Sequence, residues 1–231
     1  MREMTIIVDT AQGALAVEDN ADLNGTALAA LSKQFGEAQP IACARPLEII
    51  TPPPASTEEL ATDVCLRVNG FYHNSLTEGP GRRSSVLFQF CPLKCKGCYV
   101  THLHDAAGGV SISVKRLADL LLDEMHERDG VTILGGEPFA QPEGLLALVK
   151  ELRSKNCPHI VCYSGYTLEV LNEKATKKPE ITAVLGEIDV LIDGAYVEAL
   201  AYGAGLWTGS GNQRVIDLRA TKRVNQVVLY S

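Results

Sequence analysis

Apolar and polar positions follow two different rhythms along the chain, and the change comes near residue 62. Before it, Thr5 to Asp9 and Ala14 to Glu18 read as short apolar strands. Thr10-Ala11-Gln12-Gly13 joins them as a hairpin in which glycine supplies the positive φ. Asn24 is placed to cap a helix whose Leu28, Leu31 and Phe35 recur at helical spacing and which Gly36 stops. After a further strand, Leu47 to Ile50, comes Thr51-Pro52-Pro53-Pro54-Ala55-Ser56-Thr57, where three consecutive prolines favour a stiff extended segment. The expected organisation is a small, β-rich α+β appendage at 1–50, a Pro-rich linker at 51–61 and a main domain at 62–231.

From Thr62 strands alternate with helices of about a dozen residues, the pattern of βαβ units around a parallel sheet, so the fold class is α/β. Val86 to Phe90 is a buried strand. Val114 to Met125 carries Leu117, Leu120, Leu121 and Leu122 on a crossover helix, with Ser113 as its cap and Gly130 beyond it. Val131 to Leu134 is the next strand, followed by a helix with Leu145, Leu148, Val149 and Leu152 on one face. The strand Ile160 to Tyr163, a helix with Leu168 and Leu171, and the strand Ile188 to Ile192 complete the series. Strands of such a sheet all present their C-terminal ends to one rim, where the site is built. Four segments stand just after a strand and should meet there: the cysteine loop after Phe90, Gly135-Gly136-Glu137-Pro138, Ser164-Gly165-Tyr166 and Asp193-Gly194.

Charge narrows the function. A net charge of −7 with a pI near 5.3 argues against nucleic-acid binding, which calls for a basic footprint. No apolar run approaches the roughly 20 residues that span a bilayer, and Met1-Arg2-Glu3-Met4 does not open a signal peptide, so no membrane partner is expected and the expected compartment is the cytoplasm. Seven cysteines, an odd number and unevenly clustered, point to a metal site in preference to a disulfide framework. Cys43, Cys157 and Cys162 read as buried structural thiols.

The cluster is Cys91-Pro92-Leu93-Lys94-Cys95-Lys96-Gly97-Cys98, three soft thiolate ligands on one loop. A closed structural site takes four ligands, whereas three leave a position open for a substrate. Spacing alone leaves a rival, a zinc knot completed by Cys157, Cys162, His102 or His104. Gly135-Gly136 offers backbone unobstructed by Cβ atoms, and Glu137 can accept from a cationic amine.

Cys91-x3-Cys95-x2-Cys98 followed by Gly135-Gly136-Glu137-Pro138 resembles the radical S-adenosylmethionine enzymes. Further segments are similar to one branch, the activating proteins of anaerobic ribonucleoside-triphosphate reductase: Glu78-Gly79-Pro80-Gly81-Arg82-Arg83, Cys95-Lys96-Gly97-Cys98-Tyr99, Tyr163-Ser164-Gly165-Tyr166-Thr167, Ile188 to Gly194 and Leu206 to Asp217. Phe90 stands where that branch usually has glycine, Val100 where asparagine is common and Thr208 where arginine is common.

The resemblance implies an incomplete β/α barrel open on one side, and an oxidoreductase with a 4Fe-4S cluster and S-adenosylmethionine as cofactors. Reductive cleavage of the latter yields a 5′-deoxyadenosyl radical that makes a glycyl radical on a partner enzyme. Cys91, Cys95 and Cys98 would ligate the cluster, Tyr99 would lie near the adenine, and Gly135, Gly136 and Glu137 would hold the methionyl amine. Ser164 and Asp193 are candidates for the ribose or for the rim that receives the substrate loop. The partners implied are anaerobic ribonucleotide reductase and, as electron donor, reduced flavodoxin or ferredoxin. Another peptide or a small molecule is the alternative target, and a non-enzymatic zinc or electron-transfer module the alternative class.

Overall fold

The computed structural model describes Ile6–Asp9, Ala14–Val17 and residues 48–230. The chain divides into two compact units, residues 1–48 and 49–231. In the first, β1 (Ile6–Asp9) pairs antiparallel with β2 (Ala14–Val17), Ile6 opposite Val17 and Asp9 opposite Ala14. The turn 10–13, the helix expected around Leu28, Leu31 and Phe35, and Cys43 lie outside the described residues.

The second unit is built on a mixed seven-stranded sheet in the order β5-β3-β4-β6-β7-β8-β9. These strands are β3 (Cys65–Ser75), β4 (Arg83–Phe88), β5 (Val110–Ser113), β6 (Gly130–Gly135), β7 (Ile160–Ser164), β8 (Val190–Asp193) and β9 (Arg214–Asp217). The centre, β4-β6-β7-β8, is parallel as expected. The edges differ: β3 and β5 run antiparallel on one side and β9 antiparallel on the other. Leu66-Arg67-Val68-Asn69 alternates at period two, which is the signal for β3, and the strand is held because it pairs with two neighbours at once.

Helices cover one face. Ser113 caps α2 (Val114–Leu121) by accepting from the Arg116 N–H, as its position predicted. α3 (Pro142–Ser154), α4 (Leu168–Ala175) and α5 (Pro179–Glu187) follow, with α6 (Leu218–Val224) at the end; α5 and α6 lay outside the expected pattern. Val86 and Phe88 of β4, Val131 and Ile133 of β6, and Cys162 of β7 pack with Leu117, Leu145, Leu148 and Leu171 into the main core. The opposite sheet face carries two smaller clusters, Tyr72-Leu87-Leu103 and Val161-Val190-Ile192. All of β4 is therefore buried, which is why its sequence reads as continuously apolar after Ser85.

Within 51–61, expected to be extended linker, the chain is instead tied to the sheet. The Ala55 N–H donates to the Ser111 carbonyl at 2.7 Å, and Ile50 bridges to Phe71. A helix, α1 (Thr57–Thr62), starts three residues after the last proline. The reason is a reciprocal cap: Ser56 accepts from the Glu59 N–H at 3.2 Å while Glu59 accepts from the Ser56 N–H at 2.6 Å.

At the N-terminal end of β4, Arg83 is fully buried. Its guanidinium donates to Thr132 Oγ1 at 2.5 Å and to the carbonyls of Pro80 at 2.9 Å, Val131 at 2.7 Å and His159 at 3.1 Å. Burial pulls its pKa down to about 10, so it stays charged at neutral pH. Arg83→Leu would remove four hydrogen bonds donated into a buried site, and the expected loss is about 3 kcal/mol or more, measurable by urea unfolding. A loss below about 1 kcal/mol would show that water replaces the guanidinium there.

Candidate active site at the C-terminal rim of the sheet

The cysteine loop is anchored at both stems. Gln89, buried at the exit of β4, donates from its side-chain amide to the carbonyls of His102 at 3.1 Å and Asp105 at 2.8 Å, which closes the excursion between them. Phe90, Lys94 and Gly97 take left-handed φ values of 75°, 46° and 72°, so the chain turns back on itself every three or four residues. Phe90 is the informative one. It occupies the place where glycine is the usual residue of the resembled branch, and its φ is the one that glycine adopts without strain. The Cys91, Cys95 and Cys98 thiols are all free and half-buried, and burial pushes the Cys91 thiol up. The Cys98 N–H donates to the Cys95 carbonyl at 3.3 Å.

The Gly135-Gly136-Glu137 turn is zipped onto the start of this loop. Gly136 N–H donates to the Phe88 carbonyl at 2.8 Å, and Glu137 N–H to the Phe90 carbonyl at 2.9 Å. Gly135 has φ 107°, and a Cβ there would stand 2.6 Å from Phe88 N; one on Gly136 would overlap the Phe90 carbonyl oxygen. The double glycine thus answers the close approach of two strand ends.

Glu137 is fully buried. Oε1 accepts from Phe139 N–H and from the Ser164 hydroxyl, both at 3.0 Å, and Oε2 accepts from Gly165 N–H at 2.8 Å. Burial raises its pKa to about 7 against the opposing pull of these donors. The folded value lies above the ordinary 4.5, so the stabilisation from the neutral carboxyl is complete below pH 4.5 and is lost as pH rises to about 7. The melting temperature of the ligand-free protein should therefore fall more steeply from pH 4.5 to 7 than that of Glu137→Gln. Parallel thermal-denaturation profiles would remove Glu137 from that titration.

Ser164 and Asp193 arrive at the rim with their oxygens engaged. Ser164 also accepts from Tyr166 N–H at 3.0 Å. Asp193 accepts from Leu168 N–H at 2.7 Å, starting α4, and is gripped by Arg214 at 2.9 and 2.5 Å. Arg214 also pairs with Glu169 and holds its carboxyl down at about 2. Tyr99, by contrast, is 78% exposed, its ring 5.2 Å from that of Tyr196. Tyr166 is half-buried beneath Lys174 Nζ, 4.3 Å from the ring centre.

Two unusual positions have local explanations. Val100 packs against the Tyr72-Leu87-Leu103 cluster, and Thr208 Oγ1 closes its own turn by accepting from Gly205 N–H at 2.8 Å. Gln89, Gln141 and Arg214 were not singled out by their sequence context. Gln141 bridges the glycine turn to β3 by bonding both backbone groups of Arg67 at 2.9 Å. The one available signal was a glutamine set inside the apolar run Val86-Leu87-Phe88-Gln89-Phe90.

Among the described residues no three His, Cys, Asp or Glu side chains close on a point that would hold a single metal ion. Three thiols distributed around one tightly turned loop suit a multi-iron cluster, whose corners lie further apart than the ligands of one ion. The donor set is soft, thiol-only and short of a fourth member.

Residues 77–216 match the 4Fe-4S single cluster domain family. The anaerobic ribonucleoside-triphosphate reductase-activating protein of Salmonella typhi is 30% identical over 163 residues, which are 67% of this chain and 100% of that protein. The chain belongs to this family of activating proteins. The Escherichia coli K12 member is 30% identical over 158 residues, 64% of this chain and 97% of its own. The pyruvate formate-lyase-activating enzyme of Clostridium pasteurianum is 32% identical over 104 residues, 43% of this chain and 44% of that enzyme. The crystal structure of QueE from Escherichia coli overlaps 49% of this chain and 58% of its own at TM-score 0.39 and 20% identity, too loosely to carry an argument. In this activating-protein chain no helix among the described residues is long and apolar enough to cross a membrane.

Proposed function

We propose that the protein is a radical S-adenosylmethionine activase that generates a glycyl radical on anaerobic ribonucleoside-triphosphate reductase. The observation that carries this reading is the three-cysteine loop bonded edge to edge with the Gly135-Gly136-Glu137 turn, inside a domain that matches the 4Fe-4S family. Cys91, Cys95 and Cys98 would ligate the cluster. When bound, the cluster and S-adenosylmethionine together supply the one-electron chemistry by which a hydrogen atom is taken from the target glycine.

The chain's own residues position and shield that chemistry. Glu137 has about four acceptor sites, three of them in use, which leaves one for the methionyl ammonium. A cation there favours the ionised carboxylate that burial alone disfavours. Tyr99, exposed one residue beyond Cys98, offers an aromatic face to the adenine. Ser164 and Asp193 hold the rim in shape through Glu137 and Arg214. The sheet is read as the wall of an incomplete β/α barrel whose open side admits a glycine-bearing loop, which then excludes water from the reacting atoms. Residues 62–231 would form this catalytic domain and 1–50 an appendage to it, with reduced flavodoxin or ferredoxin supplying the electron.

The test is anaerobic reconstitution with the reductase and a reductant, reading 5′-deoxyadenosine and a glycyl doublet by electron paramagnetic resonance. Both should appear. Thr208 turned into its own loop, where arginine is common in relatives of this branch, favours a second reading in which another polypeptide is the target. 5′-Deoxyadenosine without a doublet would decide for it.

A further inference from the structure

Beside the cysteine loop, on the helix-covered face of the sheet, lies a cavity of about 520 Å³ walled by Phe90, Pro92, Phe139, Ala140, Tyr166 and Ile181. Its rim is cationic. Lys174, Lys177 and Lys178 line it together with a single carboxylate, Glu173, in a chain whose net charge is −7. All three lysines are exposed, and among the described residues none forms an ion pair. Lys174 stands over Tyr166, which itself lines the wall.

Part of the wall is the cysteine loop. Phe90 and Pro92 flank Cys91, and Phe90 is held there at φ 75° with its carbonyl bonded to Glu137 N–H at 2.9 Å. A non-glycine residue in that conformation is strained, and such strain persists where the surroundings impose it. Here it sets Phe90, the residue before Cys91, into the cavity wall.

The reaction proposed above consumes one electron per turnover, and that electron enters from outside. Beyond the loop, the free cysteines of the described residues are Cys65, Cys157 and Cys162, which stand on separate elements, and no further group of ligands is assembled. A donor must therefore come up against the cysteine loop, on a side that leaves the open side of the sheet free for the glycine-bearing target. An apolar centre with a charged rim is the composition of a transient protein interface, and three unpaired lysines on an acidic protein select an acidic visitor and speed its arrival.

We infer that this lysine-rimmed cavity is the docking face of the electron donor, a small acidic one-electron carrier protein that delivers its electron past Phe90 and Pro92 at Cys91. This rests on the activase reading. The donor is oxidised by one electron and the cluster reduced by one, with no proton or group exchanged at this face.

The test compares the reconstituted full chain with the triple variant Lys174→Glu, Lys177→Glu, Lys178→Glu and with the corresponding triple glutamine variant. Affinity for an acidic flavodoxin is measured at low and high salt, together with the rate of flavodoxin-driven cluster bleaching and the rate of dithionite-driven S-adenosylmethionine cleavage. The expected result is affinity and flavodoxin-driven rate down by roughly tenfold or more in the glutamate variant, less in the glutamine variant, with a flattened salt dependence and dithionite-driven cleavage unchanged. Unchanged affinity and salt dependence would overturn the docking face. Equal loss with dithionite would also overturn it, because the lysines would then act on the site directly. Failure of the wild-type chain to cleave S-adenosylmethionine with dithionite would instead overturn the activase reading, and the binding measurement would still judge the face.

Discussion

Cys95→Ala is expected to leave the fold intact and to abolish cluster assembly together with all S-adenosylmethionine cleavage. Cys95 is half-buried on a loop, and the backbone bond it makes, its carbonyl accepting from Cys98 N–H, survives in alanine. The fold thus loses little. On the proposed reading the site loses one of three ligands where three is already short of the usual four. The drop in activity should exceed the roughly 10–100-fold that follows loss of a residue merely orienting a ligand. Anaerobic iron and sulfide analysis with visible absorbance checks the first half, and 5′-deoxyadenosine formation the second. Cys157→Ala is the contrast: that thiol is 4% exposed within the main core, so the variant should lose stability and keep its iron. A Cys95→Ala protein with a full cluster spectrum would show that the loop is not the ligand set.

Gly136→Ala should be the most damaging change on the opposite strand end. The added methyl would overlap the Phe90 carbonyl oxygen, which is backbone and cannot rotate away. Relief requires parting the turn from the cysteine loop, which breaks the bonds from Gly136 N–H to Phe88 and from Glu137 N–H to Phe90, at 2.8 and 2.9 Å. Overpacking and two lost backbone bonds together suggest at least about 3 kcal/mol. Gly186→Ala in α5 meets nothing nearer than Lys222 Nζ at 3.9 Å, so helix propensity should make it stabilising by about 0.5–1 kcal/mol. Chemical unfolding of both variants separates the two kinds of glycine. A Gly136→Ala protein as stable as the wild type would mean that the strand ends are looser than their bonds imply.

Phe90 has two roles, because the same residue lines the cavity beside the cysteine loop and carries the carbonyl that anchors Glu137. Its left-handed backbone suits the glycine that is usual at this position, and the aromatic side chain that replaces it here lines the cavity.

What the sequence determined by itself was everything carried by short-range pattern. The apolar runs Val86 to Phe90, Val131 to Leu134, Ile160 to Tyr163 and Ile188 to Ile192 located the four parallel strands, the spacing of Leu145, Leu148 and Leu152 marked α3, and the cysteine spacing marked the site. These signals are local because strand and helix periods repeat within a few residues. The tertiary structure alone decided the rest. β9 and α5 are too short or too mixed in composition to stand out, and β9 exists because Ile216 pairs across to Leu191. The cap at Ser56 turned part of an expected linker into helix. That Gly135 and Gly136 serve the contact between strand ends, that Glu137 reaches Ser164, and that Asp193 is held by Arg214 all depend on residues 20 to 50 positions apart being brought together. Sequence spacing carries no record of such contacts, because burial and hydrogen-bond pairing are properties of the packed sheet and of no single segment.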